Sequence, residues 1–280
     1  MKIIITAEST IDCPQELLNQ YNIKTVPFTI ILGEKEYFDG IITNEDVFAF
    51  VKQNKVLPKT SAINYDQYKA FFERVLKEED ADAIIHFSIS SGFSSAINNA
   101  KEAAKDVGGV YIVNSLSLST GIALQAIKAS EMAASGATVD EILAEMETTV
   151  KNTQASFVLD RLDYMYKGGR CSAITLLGAN LLSLKPQLSV ADGSLRVNKK
   201  YLGKLDKVIK KYCADIIAAS GEVDTKHAFI TYTTATDEMV SVARAALTER
   251  GFENIHETRA GCTVSSHCGP YTFGILFIRK

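Results

Sequence analysis

The chain has 280 residues, of which 46% are hydrophobic and 22% are charged, and its net charge is -3. A chain of this length exceeds what one hydrophobic core usually serves, so two α/β domains are expected. The negative net charge gives no indication of a basic face that could bind the phosphate backbone of a nucleic acid. Nucleic acid is therefore excluded as an expected partner.

No apolar run approaches the roughly 18 residues that a membrane span requires. The N-terminal stretch MKIIITAEST enters a strand pattern without the apolar core of a signal peptide, so we expect a cytoplasmic protein. The five cysteines include no CxxC pair, and in that compartment they are expected to be reduced thiols.

The first half of the sequence repeats one pattern, in which an apolar run is followed by a hydroxyl-rich turn and a helix. The three copies are KIIITAESTIDCPQELLNQY, AIIHFSISSGFSSAINNAKEAAK and VYIVNSLSLSTGIALQAIKASEMAAS. Alternating strands and helices of this kind predict a parallel, Rossmann-like sheet. The turns then lie at the carboxyl ends of the strands, where open α/β sheets bind ligands.

Shorter elements lie between the first two copies. TVPFTIILGEKEYFDG predicts a strand and a hairpin with Gly33 in its turn. ITNEDVFAFVKQ predicts a helix capped by Asn44. A loop that carries Thr60 and Ser61 is expected to follow.

The pattern changes near residue 154. The second half indicates strands, amphipathic helices and a hairpin whose turn is Asp192-Gly193. We therefore predict an N-terminal α/β domain with a Rossmann-like parallel sheet over residues 1–154. A C-terminal α/β domain with a mixed or antiparallel sheet is predicted over residues 155–280, with the ligand between the two domains.

Hydroxyl side chains at the strand-helix turns are the most informative feature. One serine at a helix start is usually an N-cap, but these turns carry several each. They are Ser9 and Thr10, then Ser90, Ser91, Ser94 and Ser95, then Ser115, Ser117, Ser119 and Thr120. Spare donors near helix N-termini predict an anion site. Because the chain lacks GxxxxGK[ST] and GxGxxG, a carboxylate fits better than a nucleotide, and no cofactor is expected.

Two further residues extend the candidate site. Arg170 follows the flexible glycine pair of KGGR and offers a fork of donors, although KGGR also fits a glycine-terminated helix with a surface cation. His267 lies in CTVSSHCGPYTFG, whose glycine, proline and serines predict a loop, where functional residues concentrate. The neighbouring cysteines do not have the spacing of a zinc site, so no metal is expected.

The segment ITLLGANLLSL is apolar on most faces, which predicts a helix buried between the domains. A sharper interpretation is that it lines a cavity together with other apolar side chains. The predicted lining residues are Phe28, Ile30, Phe93, Phe157, Ile174, Leu177 and Leu181. Burial of a sixteen-carbon acyl chain at about 0.8 kcal/mol per methylene would supply about 10 kcal/mol before ordering costs.

Several short motifs occur in a characteristic order. They are KTS at 59–61, SSGFS at 90–94, KGGR at 167–170, LKP at 184–186, DG at 192–193 and HCGPYTFGI at 267–275. In this order they resemble the DegV family over nearly the whole chain. The resemblance implies a two-domain α/β protein that encloses a long-chain fatty acid, such as palmitate, and is not an enzyme. It also implies a candidate kinase subunit as partner, to which the carboxylate is presented.

Carried over by position, the resemblance implies that Thr60, Ser61 and Ser94 bind the carboxylate and that His267 joins the same network. It assigns Arg170 to the head-group region and to contact with the kinase partner. Lipid exchange by peripheral contact with a membrane is a further expectation.

The chain departs from the family pattern at several positions. Glu8 and Asn114 stand where the family has aspartate, and Lys200-Tyr201 stands where an arginine commonly follows the hairpin. The change at Asn114 affects the hydrogen bonds that support the residues of the site. The change after the hairpin affects the kinase contact more than lipid binding.

Two other functions fit parts of the sequence. Ser94 in GFSSA lies between a strand and a helix, as a hydrolase nucleophile does, and His267 comes late in the chain. A serine hydrolase is therefore the alternative, although Ala96 replaces the second glycine of that motif. A small-anion or regulatory binding module is the third interpretation, and it requires a cavity too short for a lipid tail.

Overall fold

The computed structural model describes residues 1–171 and 184–280. In the described residues the strands are β1 (Ile3–Glu8), β2 (Lys24–Val26), β3 (Thr29–Leu32), β4 (Lys35–Phe38), β5 (Lys59–Ser61), β6 (Ala83–Ser88), β7 (Val110–Asn114), β8 (Thr153–Val158), β9 (Leu184–Ala191), β10 (Ser194–Leu202), β11 (Val223–Tyr232), β12 (Asn254–Arg259) and β13 (Phe273–Arg279).

The helices of the same residues are α1 (Gln15–Gln20), α2 (Asn44–Asn54), α3 (Tyr65–Glu78), α4 (Ala96–Val107), α5 (Thr120–Ala134), α6 (Val139–Asn152), α7 (Asp163–Gly168), α8 (Leu205–Ala218), α9 (Asp237–Glu249) and α10 (Cys262–Cys268), with a 3₁₀ turn at Ser9–Ile11. In the parts of the chain that these bounds cover, no helix combines the length and the apolar character needed to cross a membrane.

The first sheet is parallel, with the order β2-β1-β6-β7, which confirms the predicted Rossmann-like arrangement. All six residues of β6 are buried, as expected of a central parallel strand covered on both faces. Helices α3 and α4 pack against each other and against β6, and α5 contacts both β1 and β6. The carboxyl ends of β1, β6 and β7 therefore meet along one edge of the sheet.

The second sheet is mixed, with the order β10-β9-β8-β13-β11-β12, as predicted for the C-terminal half. Only the β11-β12 pair is parallel among these neighbours. The hairpin between β9 and β10 turns at Asp192 and Gly193, whose φ angles of 51° and 73° suit the primed turn expected there. Strand β8 begins at Thr153, and α5 contacts β8, β11 and β13 as well as the first sheet.

A third, antiparallel sheet has the order β4-β3-β5. The hairpin with Gly33 in its turn is confirmed. The loop predicted around Thr60 and Ser61 is wrong, because these residues form β5 and pair with β3. The cap predicted at Asn44 is also wrong: Thr43 caps α2, its hydroxyl accepting from the Asp46 amide at 3.2 Å.

Glu8 ends β1 as a fully buried carboxylate. Its Oε1 accepts from the hydroxyls of Tyr68 and Ser88, each at 2.6 Å, and its Oε2 accepts from the amide of Ile89 at 2.5 Å. These donors belong to α3 and to the end of β6. The carboxylate therefore fixes the point at which β6 leads into the following turn, residues 90–95, here called the serine turn.

The serine turn also packs against the second sheet. The hydroxyl of Ser90 donates to the carbonyl of Gly193 at 2.7 Å, at the tip of the β9-β10 hairpin. A Cβ atom at Gly92 would lie 2.3 Å from the same carbonyl oxygen. Glycine at 92 thus allows the close approach that holds the turn between the two sheets.

We predict that Glu8→Gln lowers the free energy of unfolding by about 1–3 kcal/mol, because the amide nitrogen of glutamine cannot accept a hydrogen bond from the donors around Glu8. Urea denaturation followed by circular dichroism measures this change. The matched control is Glu36→Gln on the exposed face of β4, for which a change within about 0.5 kcal/mol is expected. Equal losses in the two variants would contradict the role assigned to Glu8.

Candidate functional site

A cavity of about 350 Å³ opens where the serine turn, β5, α7 and α10 meet. Its volume lies within the roughly 300–1,000 Å³ that small-molecule sites occupy. The five predicted polar residues all line it, although they come from distant parts of the sequence. They are Thr60 and Ser61 on β5, Ser94 in the serine turn, Arg170 after α7, and His267 on α10.

His267 contacts Thr60 directly, with 2.8 Å between its Nε2 and the Thr60 hydroxyl oxygen. Burial, and after it the charge of Arg170, lower the pKa of His267 to about 4, so the imidazole is neutral near pH 7. In the tautomer that carries its proton on Nε2, His267 donates to Thr60. The hydroxyl proton of Thr60 is then available to an anion in the cavity.

The remaining ring nitrogen of His267 is enclosed. Its Nδ1 is buried and has no hydrogen-bond partner in the described part of the chain. A Cβ atom at Gly168 would lie 2.9 Å from Nδ1, so the end of α7 lies directly against the ring. This close approach restricts the orientation of the imidazole that contacts Thr60.

Ser94 combines a structural contact with a free donor. Its hydroxyl oxygen accepts from the amide of Ala96 at 3.2 Å, at the start of α4. Ser95 occupies the N-cap position of α4 but makes no capping bond with its side chain. Because accepting a hydrogen bond leaves the hydroxyl proton of Ser94 unused, this residue can support α4 and donate to a ligand at once.

Most hydroxyls of the other two turns are engaged in bonds within the protein; the buried Ser117 hydroxyl has no partner among the described residues, but Ser117 does not line the cavity. Ser9 donates to Asp39 at 3.0 Å, and Ser119 donates to Asp12 at 2.5 Å. The Ser115 hydroxyl donates to the backbone of its own turn. The expectation that all three turns supply spare donors is therefore corrected. The cavity-facing hydroxyls come from the serine turn, from β5 and from α10.

Both interpretations of KGGR describe part of the geometry. Helix α7 ends at Gly168, and Gly169 adopts a left-handed conformation with φ of 69°. Arg170 follows as an exposed residue, and its guanidinium donates to the carbonyl of Gly168 at 2.7 Å. It also lines the cavity, so a terminated helix places a cation at the opening.

The apolar residues that were predicted to line a cavity for the acyl chain lie in different places. Phe28 and Phe93 line the cavity, together with Leu118, which was not among the predicted residues. Ile30 lies in a separate buried cluster with Val47 and Cys262, so the acyl-lining position predicted for it is corrected. Ile30 pairs with Thr60 across β3 and β5, and its side chain is covered by the start of α10.

Phe157 lines a second cavity of about 30 Å³. Leu118, Val264 and Cys268 belong to the walls of both cavities, so these three side chains separate the two spaces. The predicted lining residues Ile174, Leu177 and Leu181 lie outside the described residues.

His267 lies on a helix, α10, and not on the predicted loop. Two aspartate side chains hold the N-terminus of this helix. Asp39 accepts from the amides of Cys262 at 3.0 Å and Thr263 at 3.3 Å, and Asp12 accepts from the amide of Gly261 at 2.8 Å. Thr263, which is absent from the residues predicted from the sequence, lines the cavity one helical turn before His267. The i,i+4 spacing of Thr263 and His267 was the available signal.

Among the described residues, the geometry matches neither a metal site nor the activated serine of a hydrolase. There, no group of three His, Cys, Asp or Glu side chains is arranged to hold a metal ion. The hydrogen bond of His267 goes to Thr60 and not to Ser94. The site therefore offers hydrogen-bond donors without the relay that activates a serine nucleophile.

We predict that His267→Gln removes a pH-dependent part of the free energy of unfolding in the ligand-free protein. The folded-state pKa of His267 is about 4 and the ordinary value is 6.5, so the unfolded chain binds the additional proton in this range. The contribution is fully present above about pH 6.5 and is lost as pH falls towards 4. The difference in unfolding free energy between wild type and variant should therefore shrink over that range.

Urea titrations at a series of pH values measure this difference. His256→Gln is the matched control, because burial and then His227 lower the pKa of His256 to about 4 as well, at a site remote from the cavity lining. A difference between wild type and His267→Gln that does not vary with pH would contradict a neutral His267.

Several known proteins resemble this chain over nearly its whole length. A fatty acid-binding protein of Thermotoga maritima is 30% identical, covering 98% of this chain and 96% of its own. A DegV family protein from Thermus thermophilus, described by its fatty acid binding, superposes with a TM-score of 0.92 at 25% identity, over 100% of both chains. A Thermotoga maritima structure described as revealing fatty acid binding function gives a TM-score of 0.86 at 26% identity, also over 100% of both chains. The profile of the DegV family, described as uncharacterised proteins, matches residues 2–280. The chain belongs to the DegV family.

Proposed function

We propose that this protein binds a long-chain fatty acid, such as palmitate, and acts as a lipid-binding protein and not as an enzyme. The observation that carries the proposal is the convergence of neutral donors in the lining of one partly apolar cavity. Thr60, Ser61 and Ser94, with their hydroxyls, and His267, with its neutral imidazole, all belong to that lining. The fatty acid binding described for the two structural relatives supports the same function.

A carboxylate matches these donors in charge and in number. Hydrogen bonds to an ionised group contribute about 1.5–3 kcal/mol each, roughly twice the value for neutral pairs. Several neutral donors can therefore hold one negative charge, and Arg170 adds a cation at the opening. A nucleotide phosphate would carry more charge than these donors compensate.

The acyl tail extends from the donors along the apolar wall. Phe28, Phe93 and Leu118 line the main cavity, and Phe157 lines the smaller one beyond Leu118 and Val264. Burial at about 0.8 kcal/mol per methylene makes the tail the main source of affinity. The head group then sets the direction and depth of the ligand. We place the boundary between the two domains near residue 154, so that the tail lies between them.

The first test is a triple variant, Thr60→Ala, Ser61→Ala and Ser94→Ala. Palmitate affinity should fall at least about a hundredfold, because three donors to the carboxylate are lost. Titration calorimetry with delipidated protein measures the affinity, and native mass spectrometry of the freshly purified protein reports the bound acyl chain. Unchanged lipid occupancy in this variant would exclude the proposed head-group site.

A comparison ligand separates head-group recognition from burial of the tail. The alcohol of the same chain length should bind wild type and triple variant within about threefold of each other, because neutral hydrogen bonds contribute less. Ser241→Ala on the exposed face of α9 controls for the removal of a hydroxyl elsewhere. It should leave the affinities for both ligands unchanged.

We further propose a cytoplasmic protein that presents the bound carboxylate to a fatty acid kinase subunit and exchanges lipid by peripheral contact with a membrane. Arg170 is the candidate contact with the kinase, because it is exposed and lies at the opening of the cavity. The acyl tail is enclosed in this arrangement while the carboxylate end faces outwards. The partner would supply the chemistry on the carboxylate.

The kinase proposal predicts a defect that excess fatty acid cannot correct. Arg170→Ala should reduce acyl phosphate formation by a purified bacterial fatty acid kinase at least about tenfold at saturating palmitate, because one charge-assisted contact is lost. Arg196→Ala, an exposed arginine paired with Asp192, is the matched control. Wild-type turnover by the Arg170 variant would exclude this residue from the partner contact.

A further inference from the structure

Thr263 presents a buried hydroxyl in the wall of the main cavity without a hydrogen-bond partner. The residue is 5% exposed, and in the described part of the chain nothing bonds to its Oγ1. Its backbone amide is engaged separately, donating to Asp39 at 3.3 Å. The side-chain oxygen is therefore an unused polar group at a surface that a ligand contacts.

The neighbouring cavity hydroxyls differ in this respect. Thr60 contacts His267, and Ser94 accepts from an amide. In the smaller cavity, Thr231 bonds to a threonine hydroxyl, and Thr233 and Thr272 donate to backbone carbonyls. Ser61 and Ser95 also line the main cavity, but both are exposed, so solvent can bond to their hydroxyls. Among the buried hydroxyls that line either cavity in the described residues, that of Thr263 alone lacks a partner.

The position of Thr263 on α10 places it near the ligand carbons that follow the head group. Thr263 and His267 are separated by four residues on α10, so they lie on one face with their Cβ atoms roughly 5–6 Å apart. His267 lies at the carboxylate end of the proposed ligand. Thr263 then faces the acyl chain a few carbons further along.

A plain acyl chain in this cavity would exclude water from the Thr263 hydroxyl without replacing its hydrogen bonds. Leaving a buried hydroxyl unsatisfied is unfavourable, whereas a ligand oxygen at that point would satisfy it. Resting on the fatty acid-binding function above, we propose that the site prefers fatty acids with an oxygen substituent, a hydroxyl or keto group, near the carboxylate, and that Thr263 recognises it.

The experiment compares palmitate with a series of palmitates that carry one hydroxyl on the third, fourth, fifth or sixth carbon. Affinities are measured by calorimetry on delipidated full-length protein. Wild type should bind at least one member about tenfold more tightly than palmitate, since one buried hydrogen bond replaces an unsatisfied group. No preference for any member would overturn the proposal.

Thr263→Val removes the hydroxyl and keeps the shape of the side chain. This variant should bind palmitate as tightly as wild type or a few-fold more tightly, and it should lose the preference for the hydroxylated ligand. Thr263→Ser should retain that preference. If Thr263→Val weakens both ligands equally, Thr263 is a carboxylate donor and the proposal fails.

Ser266→Ala provides the matched control on the same helix. The Ser266 hydroxyl is also buried and without a partner among the described residues, but Ser266 is not part of the described lining of the cavity. The ratio of the affinity for the hydroxylated palmitate to the affinity for palmitate should therefore be unchanged in this variant. Failure of wild type to bind palmitate or any derivative would contradict the fatty acid-binding function itself, and that outcome differs from a changed ratio.

Discussion

Two aspartate side chains at the N-terminus of α10 are the constraint on which the cavity depends. Asp39 and Asp12 accept from the first amides of this helix, although they lie more than two hundred residues away in the sequence. A helix of two turns is not stable by itself, so its position is set by these bonds and by packing. Because α10 carries Thr263, Val264, His267 and Cys268, the same bonds position one whole wall of the cavity.

Another wall depends on the buried carboxylate of Glu8. It fixes the end of β6, and the hairpin tip at Gly193 fixes the serine turn from the other side. The head-group donors thus come from elements that are each held by internal hydrogen bonds. A rigid arrangement of neutral donors lowers the entropy lost when a carboxylate binds. The apolar wall can then supply affinity without specifying the direction of the ligand.

The sequence predicted the larger elements because their patterns are local. Alternating apolar runs and helices indicated the parallel sheet, and Asp192-Gly193 indicated the hairpin. The residues around the cavity were predicted through motif order, and the structure brings Thr60, Ser94 and His267 to one cavity, where their roles remain a proposal. Two short elements, β5 and α10, were predicted wrongly as loops. Strand β5 and helix α10 each have few residues, and pairing or packing with distant segments determines their conformation.

By itself, the sequence determined the fold class through the periodicity of its apolar runs, and it indicated the family through the resemblance carried by the order of its motifs. Residue type indicated a set of polar side chains suited to a carboxylate. Tertiary structure alone decided which hydroxyls face the cavity. Ser119 and Ser94 occupy similar strand-helix turns, yet Ser119 is bound to Asp12 whereas Ser94 faces the cavity. Ile30 and Phe28 lie two residues apart, but Ile30 packs in a separate cluster with Cys262 of α10, whereas Phe28 lines the cavity. Such differences depend on contacts between distant segments, which local sequence patterns do not contain.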